Sequence, residues 1–209
     1  MTTTTTVLEA PARPMLQPWS ERLIARAIAL QTFNRRYLVA VPNCNWTGHE
    51  CDLLVVTDNL RIIDVEVKIS RADLKADAKK AKWWHRKFLG HAEPREVFKN
   101  GRLQAIYRDP IYDTNARLHP PKVWKHYYAL PRDIWTPELE ASLPSTASGI
   151  LLLDRTRGET RIECIRRATP SRDAKPISAE AAVDIARLAS LRMWESFQLL
   201  DAQRAKAEP

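Results

Sequence analysis

The chain has 209 residues, 44% of them hydrophobic and 28% charged, with a net charge of +8 and a pI of about 9.6. That suffices for one domain with a real core and room for a small appendage, and the basic excess favours a polyanionic partner. No segment has the length of a membrane span or the apolar core of a signal peptide, and three widely spaced cysteines (Cys44, Cys51, Cys164) do not make a disulfide framework, so a reducing, cytoplasmic setting with no membrane association is expected.

Residues 1–17 begin with a threonine run and continue through Pro11 and Pro14, a low-complexity tail expected to lack structure. Ser20 is a good N-cap, and Glu21 to about Thr32 has helical spacing, with Leu23, Ile24, Ala27, Ile28 and Leu30 apolar. Glu21 falls in the first turn, where a carboxylate complements the helix dipole. Arg36–Val41 reads as a strand, followed by a polar connection from Pro42 to Glu50. Cys44, His49 and Cys51 do not have the spacing of a structural zinc site, and no fourth ligand is obvious.

The most informative stretch runs from Asp52 to Lys68. Two short β-branched runs flank a turn at Thr57, Asp58 and Asn59, which predicts a hairpin. Strand alternation then puts Asp64, Glu66 and Lys68 on one face and Ile63, Val65, Val67 and Ile69 on the other, towards a core. A hairpin also returns Asp52 to the neighbourhood of Glu66 and Lys68. Two carboxylates beside an ammonium suit a hard divalent cation such as Mg²⁺ with a phosphate substrate. The same residues also describe an ordinary charged edge strand that deters aggregation.

Ser70 with Asp73 three residues on reads as the start of a second helix, expected to run to about Phe88 with Leu74, Ala78, Ala81 and Phe88 on its inner face. Lys75, Lys79, Lys82 and Arg86 would form a basic stripe at steps of four, three and four, ending beside Trp83. Between Lys68 and Arg102 eleven Lys and Arg stand against four Asp and Glu, so the basic excess sits directly behind the Glu66-Val67-Lys68 run. A stripe of this kind can track a phosphate backbone, with tryptophan available to stack on bases. Residues 89–122, with several prolines and glycines, read as an inserted loop or small subdomain. Strands are expected at Lys125–Leu130, Gly149–Asp154 and Thr160–Ile165, the last two joined by a turn at 155–158. Ser178 caps a final helix to about Gln203, with Ile185, Leu188, Ala189 and Phe197 facing inward.

Asp52, then Glu66-Val67-Lys68 fourteen residues later, resembles the PD-(D/E)xK nuclease superfamily, with Cys51 standing where the eponymous proline would be. The run from Val65 to Asp73, then Asp77, Lys80 and Trp83, and later His126 to Pro131, resembles the MmcB-like DNA repair family within it. This likeness covers roughly 52–129 and the C-terminal layout. It implies a three-layer α/β sandwich with an αβββαβ restriction-endonuclease-like core and a mixed central sheet over 18–206. It implies Asp52, Glu66 and the Val67 carbonyl as ligands of Mg²⁺ (Mn²⁺ substituting) and Lys68 as the catalytic lysine. Several families of the superfamily place an acidic residue on the first helix as a further metal or water ligand, the role this gives Glu21. The expected activity is metal-dependent hydrolysis of DNA in repair, recombination or phage DNA metabolism, with Lys75, Lys79, Lys82, Arg86 and Trp83 contacting nucleic acid. Relatives that act as dimers make a homodimer a further expectation. The alternatives are a DNA-binding protein of the same fold without nuclease activity, and a module whose basic helix meets an acidic protein.

Overall fold

The computed structural model describes residues 18–33, 36–156 and 159–207; the tail at 1–17 and the centre of the turn at 155–158 lie outside them. Helix α1 (Glu21–Gln31) starts where the Ser20 hydroxyl accepts the Leu23 N–H at 3.3 Å. Strands β1 (Tyr37–Cys44), β2 (Cys51–Thr57) and β3 (Ile62–Val67) then form an antiparallel meander. The β2–β3 turn is tied by Thr57, whose hydroxyl donates to Asn59 Oδ1 at 2.5 Å and accepts the Arg61 N–H at 3.0 Å. Side-chain bonds of this kind let a turn replace ladder bonds without leaving buried donors open.

Helix α2 (Arg71–Ala76) begins at a Ser70 cap, with the hydroxyl accepting the Asp73 N–H at 3.2 Å, and it is short. The spacing predicts a helix to Phe88; the structure instead has two 3₁₀ turns, Asp77–Lys79 and Ala81–Trp83. Extended backbone at Lys80 (ψ 140°) separates them. Burial of Asp77, Lys82 and Trp83 overrides the helical period here, because all three side chains find their partners under the sheet. The expected apolar face at Leu74, Ala78, Ala81 and Phe88 is therefore broken, and Phe88 is exposed.

The insertion at 89–122 is a β ribbon. Strands β4 (Trp84–His91) and β7 (Pro110–Ala116) pair with each other, as do β5 (Arg95–Lys99) and β6 (Arg102–Tyr107). Asn100 and Gly101, both at positive φ (52° and 71°), make the tight turn at its tip, a backbone region where glycine and asparagine carry least strain.

The chain returns to the sheet through β8 (Lys125–Pro131), β9 (Gly149–Thr156) and β10 (Glu159–Arg166). The main sheet has the order β1-β2-β3-β8-β9-β10, with β8 parallel to both β3 and β9 and the outer pairs antiparallel. It is a six-stranded mixed sheet with helices on its faces. On one face Ile24 and Ile28 of α1 pack on Leu53, Val55, Ile63, Val65 and Val67. On the other, Ile185 of α3 (Ala179–Ala207) joins Val41, Leu54, Val56 and Ile62, while Leu74 and Trp83 cover Tyr128, Ile150 and Leu152. Two inward assignments fail: Ile69 lies beyond the end of β3, Phe197 lies on the far half of α3, and both are exposed. Among the described residues no helix is long and apolar enough to cross a membrane.

Gly149 pairs with Tyr127 in the β8–β9 ladder. A Cβ there would lie 2.3 Å from the Tyr127 ring and 2.8 Å from the Ala168 nitrogen. Gly149→Ala is expected to lower unfolding free energy by about 1–3 kcal/mol, as overpacking does. Urea denaturation checks this, and an unchanged midpoint contradicts it.

Candidate active site

β3 lies between β2 and β8 and is covered on both faces, so its alternation sends polar side chains into the interior. Val65 and Val67 pack beneath α1; Asp64, Glu66 and the following Lys68 emerge on the opposite side and are 0%, 1% and 2% exposed. Charged groups so enclosed persist only when paired and hydrogen-bonded.

The partners come from the segment after β3, from β8 and from the loop before β2. Glu66 Oε1 accepts from Lys68 Nζ at 2.8 Å and from the Lys80 ammonium, and Oε2 accepts from Lys82 Nζ at 2.5 Å. Asp77 Oδ2 accepts from Trp83 Nε1 at 2.9 Å and from the Tyr128 hydroxyl at 2.5 Å, while its Oδ1 lies 3.3 Å from Lys68 Nζ and 3.0 Å from Lys80 Nζ. Asp64 Oδ2 meets His49 Nε2 at 3.2 Å and Lys82 Nζ at 3.6 Å. Three buried carboxylates thus face three ammonium groups, and the more exposed Asp73 adds a fourth carboxylate 3.6 Å from Lys68 Nζ.

The electrostatics follow from that closure. Burial works to raise Asp64 and Asp77, yet Lys82 with the His49 bond, and Lys82 with the Tyr128, Lys68 and Trp83 contacts, outweigh it and hold both below the usual carboxylate range. Burial alone would depress Lys80 and Lys82, but Glu66 and Asp77 for Lys80, with Asp64 added for Lys82, push both above the ordinary lysine value. Lys80 is the only ammonium of the three with substantial exposure, at 46%, against 2% for each of the others.

The expected basic stripe is not assembled. Lys82 and Trp83 are buried in the network and the core, whereas Lys75, Lys79 and Arg86 are exposed on three different elements. Asp64 joins the site as strand alternation predicts, whereas Lys80, Asp77 and Tyr128 belong to it although no helical or strand period singles them out.

Asp52 comes to the same strand end by a different route. The β2–β3 ladder closes at Leu53 opposite Val65, and beyond it Asp52 Oδ2 accepts the Val67 N–H at 2.7 Å. A carboxylate has replaced a backbone acceptor where the strands part. Asp52 opens into a groove of about 460 Å³ together with Glu21, Arg22, Arg26 and Arg192. Burial first, then the charges of Glu66 and Glu21, raise its pKa to about 7 against the opposing Val67 N–H and Lys68. Glu21 lines the same groove as Asp52, and Val67, whose carbonyl the resemblance makes a ligand, holds Asp52 through its N–H.

No protein-family model and no curated protein matches the chain. Among solved structures it is similar to the SPO1766 protein of unknown function from Silicibacter pomeroyi, with a TM-score of 0.49 and 18% identity over 91% of this chain and 96% of that one.

The folded pKa of Asp52, about 7, lies above the ordinary value of 3.8. Folding at pH 8 therefore carries the cost of charging this carboxyl; the cost fades as pH falls through 7 and vanishes below 3.8. Asp52→Asn keeps an oxygen for the Val67 N–H, so in EDTA it should unfold at a higher temperature than the parent at pH 8 and converge with it near pH 4. Calorimetry at the two pH values checks this; identical transitions at pH 8 contradict it.

Proposed function

We propose that the chain hydrolyses DNA phosphodiester bonds as a metal-dependent nuclease of the PD-(D/E)xK kind. The observation that carries the reading is the convergence at the end of β3: Glu66 and Lys68 are ion-paired at 2.8 Å, and Asp52 is bonded to Val67, the residue between them. The order α1, antiparallel β1–β2–β3, α2, then β8 parallel to β3 supports a restriction-endonuclease-like core.

Asp52 offers a hard divalent cation a carboxylate oxygen in the groove, and Glu66 would join it only by giving up lysine contacts on the other side of the strand. The half-buried Asp52 has one oxygen taken by Val67, and burial together with Glu66 raises its pKa, as happens in a carboxylate cluster without a cation. Mg²⁺ or Mn²⁺ held by Asp52, Glu66 and the Val67 carbonyl would supply Lewis-acid polarisation of the scissile phosphate. Glu66 must share its oxygens with three lysines, and Lys80, the solvent-reaching one, is the ammonium placed to leave it for a phosphate oxygen. Lys68, pinned between Glu66 and Asp77, holds its positive charge at a fixed position, where it orients water and stabilises charge developing on the phosphoryl oxygens. Arg22, Arg26 and Arg192 line the groove beside Asp52 and supply phosphate contacts along the strand.

A second reading, a DNA-binding protein of this fold without cleavage, draws on the enclosure of Glu66 by three ammonium groups. Labelled single-stranded, duplex and branched DNA separates the two. Nuclease action predicts cutting with Mg²⁺ or Mn²⁺ and none in EDTA, reduced at least about 100-fold in Asp52→Asn, on the scale of losing one charge-stabilising group. Salt-sensitive binding of DNA with no cutting of any substrate would replace it with the second reading.

A further inference from the structure

Directly behind Asp52, on the other side of β2, lie donor atoms of His49, Cys51, Asp64 and His126 that the proposed hydrolysis does not use. Cys51 faces the α3 side of the sheet, among Leu54 and Val56, and Asp52 faces the groove beside α1. One ligand atom each from His49, Cys51 and Asp64 lie within 4.8 Å of one another, as do those of Asp64, Glu66 and His126. Asp64 is common to both sets.

Two of these side chains are incompletely satisfied. Asp64 Oδ1 is buried with no hydrogen-bond partner, although the residue is 0% exposed. His126, 1% exposed, uses Nδ1 on Ser148 Oγ at 3.0 Å, and its Nε2 has no hydrogen-bond partner. That Nε2 faces Asp64 Oδ2 at 3.9 Å. Edge-on contacts with Trp83 (4.9 Å) and Tyr128 (4.7 Å) fix the ring in this attitude. An unpaired Asp64 Oδ1 and a His126 Nε2 held beyond hydrogen-bond distance of any partner are costly in a dry interior, and a bound cation would satisfy both. Lys82 supplies that cation only in part: its ammonium is bonded to Glu66 and stands 3.6 Å from Asp64 Oδ2.

We infer that His49, Cys51 and Asp64 form a structural site for a borderline-soft divalent metal, Zn²⁺ above all, with the fourth position left to water or to His126, which approaches Asp64 from outside that cluster. Tetrahedral zinc with N and O ligands places neighbouring donor atoms about 3.3–3.5 Å apart. His49 Nε2 and Asp64 Oδ2 are already 3.2 Å apart, and His126 lies roughly half an ångström beyond that spacing. Binding requires the His49 Nε2 proton, now donated to Asp64, and the Cys51 thiol proton to leave, so uptake releases protons and weakens in acid. The mixture of imidazole, sulfur and a single carboxylate selects against Mg²⁺, which wants oxygen alone. The ion would pin the loop at 45–50, through His49 and Cys51, to β3.

The test uses the full-length chain stripped with a chelator, then titrated with Zn²⁺ by calorimetry and with Co²⁺ by absorption spectroscopy. One ion per chain is expected, with a thiolate–Co²⁺ charge-transfer band that Cys51→Ser abolishes and a Zn²⁺ affinity at least about tenfold weaker in His49→Ala. His49 lies on a partly exposed loop, so its variant should keep the fold even if Cys51→Ser does not. Absence of Zn²⁺ and Co²⁺ uptake overturns the inference, and so does uptake undiminished in both variants, which would place the ion on surface groups such as Cys164 or His85.

Discussion

Glu66 is the point on which this structure turns. One carboxylate, 1% exposed, accepts hydrogen bonds from three lysines that reach it from the strand end and from the turns after α2. Enclosing such a group alone would cost several kcal/mol, and the lysines offset that only if they stay in place. The path of the chain from Ser70 to Trp84 answers that requirement. A continuous helix would carry Lys82 and Trp83 away from the sheet; two 3₁₀ turns and an extended Lys80 bring both beneath it.

The network also separates two kinds of site across one strand. On the groove side, Asp52 is an oxygen donor with a raised pKa, next to arginines. On the interior side, Cys51, His49 and His126 gather nitrogen and sulfur around Asp64. Because Cys51 and Asp52 are adjacent in a strand, their side chains diverge, so the two proposed cation sites would share no donor at β2. The His49–Asp64 contact at 3.2 Å ties the loop leading into β2 to β3.

Much of this was legible in the residues. Alternation over Ile62–Val67, the Asp58–Asn59 turn and the Ser20 and Ser70 caps were sufficient to place the meander and the first helix, since each is a local signal that tertiary packing reinforces. Hairpin geometry was sufficient to bring Asp52 to the end of β3, where it meets the Val67 N–H, but not to show that its side chain turns into the groove beside α1. The stretch 71–88 misled because lysine, alanine and leucine have good helix propensity, and propensity yields to the burial of Asp77, Lys82 and Trp83. The Asn100–Gly101 pair between short β-branched and aromatic runs was the available sign of the ribbon. His126 and Tyr128 could not be placed beside Glu66 from sequence, because parallel pairing of β3 with β8 across about sixty residues leaves no local mark.

The most direct test of the whole account is a double-mutant cycle on the buried pair, Glu66→Gln, Lys82→Met and both together, read by chemical denaturation. If Glu66 and its lysines organise the segment after α2, each single change should cost about 3–5 kcal/mol by leaving a buried charge uncompensated. The double variant should then recover a substantial part of that loss, with a coupling of about 2 kcal/mol or more. Single costs under about 1 kcal/mol that simply add would mean the two side chains are solvated in solution, and would contradict the account at its centre.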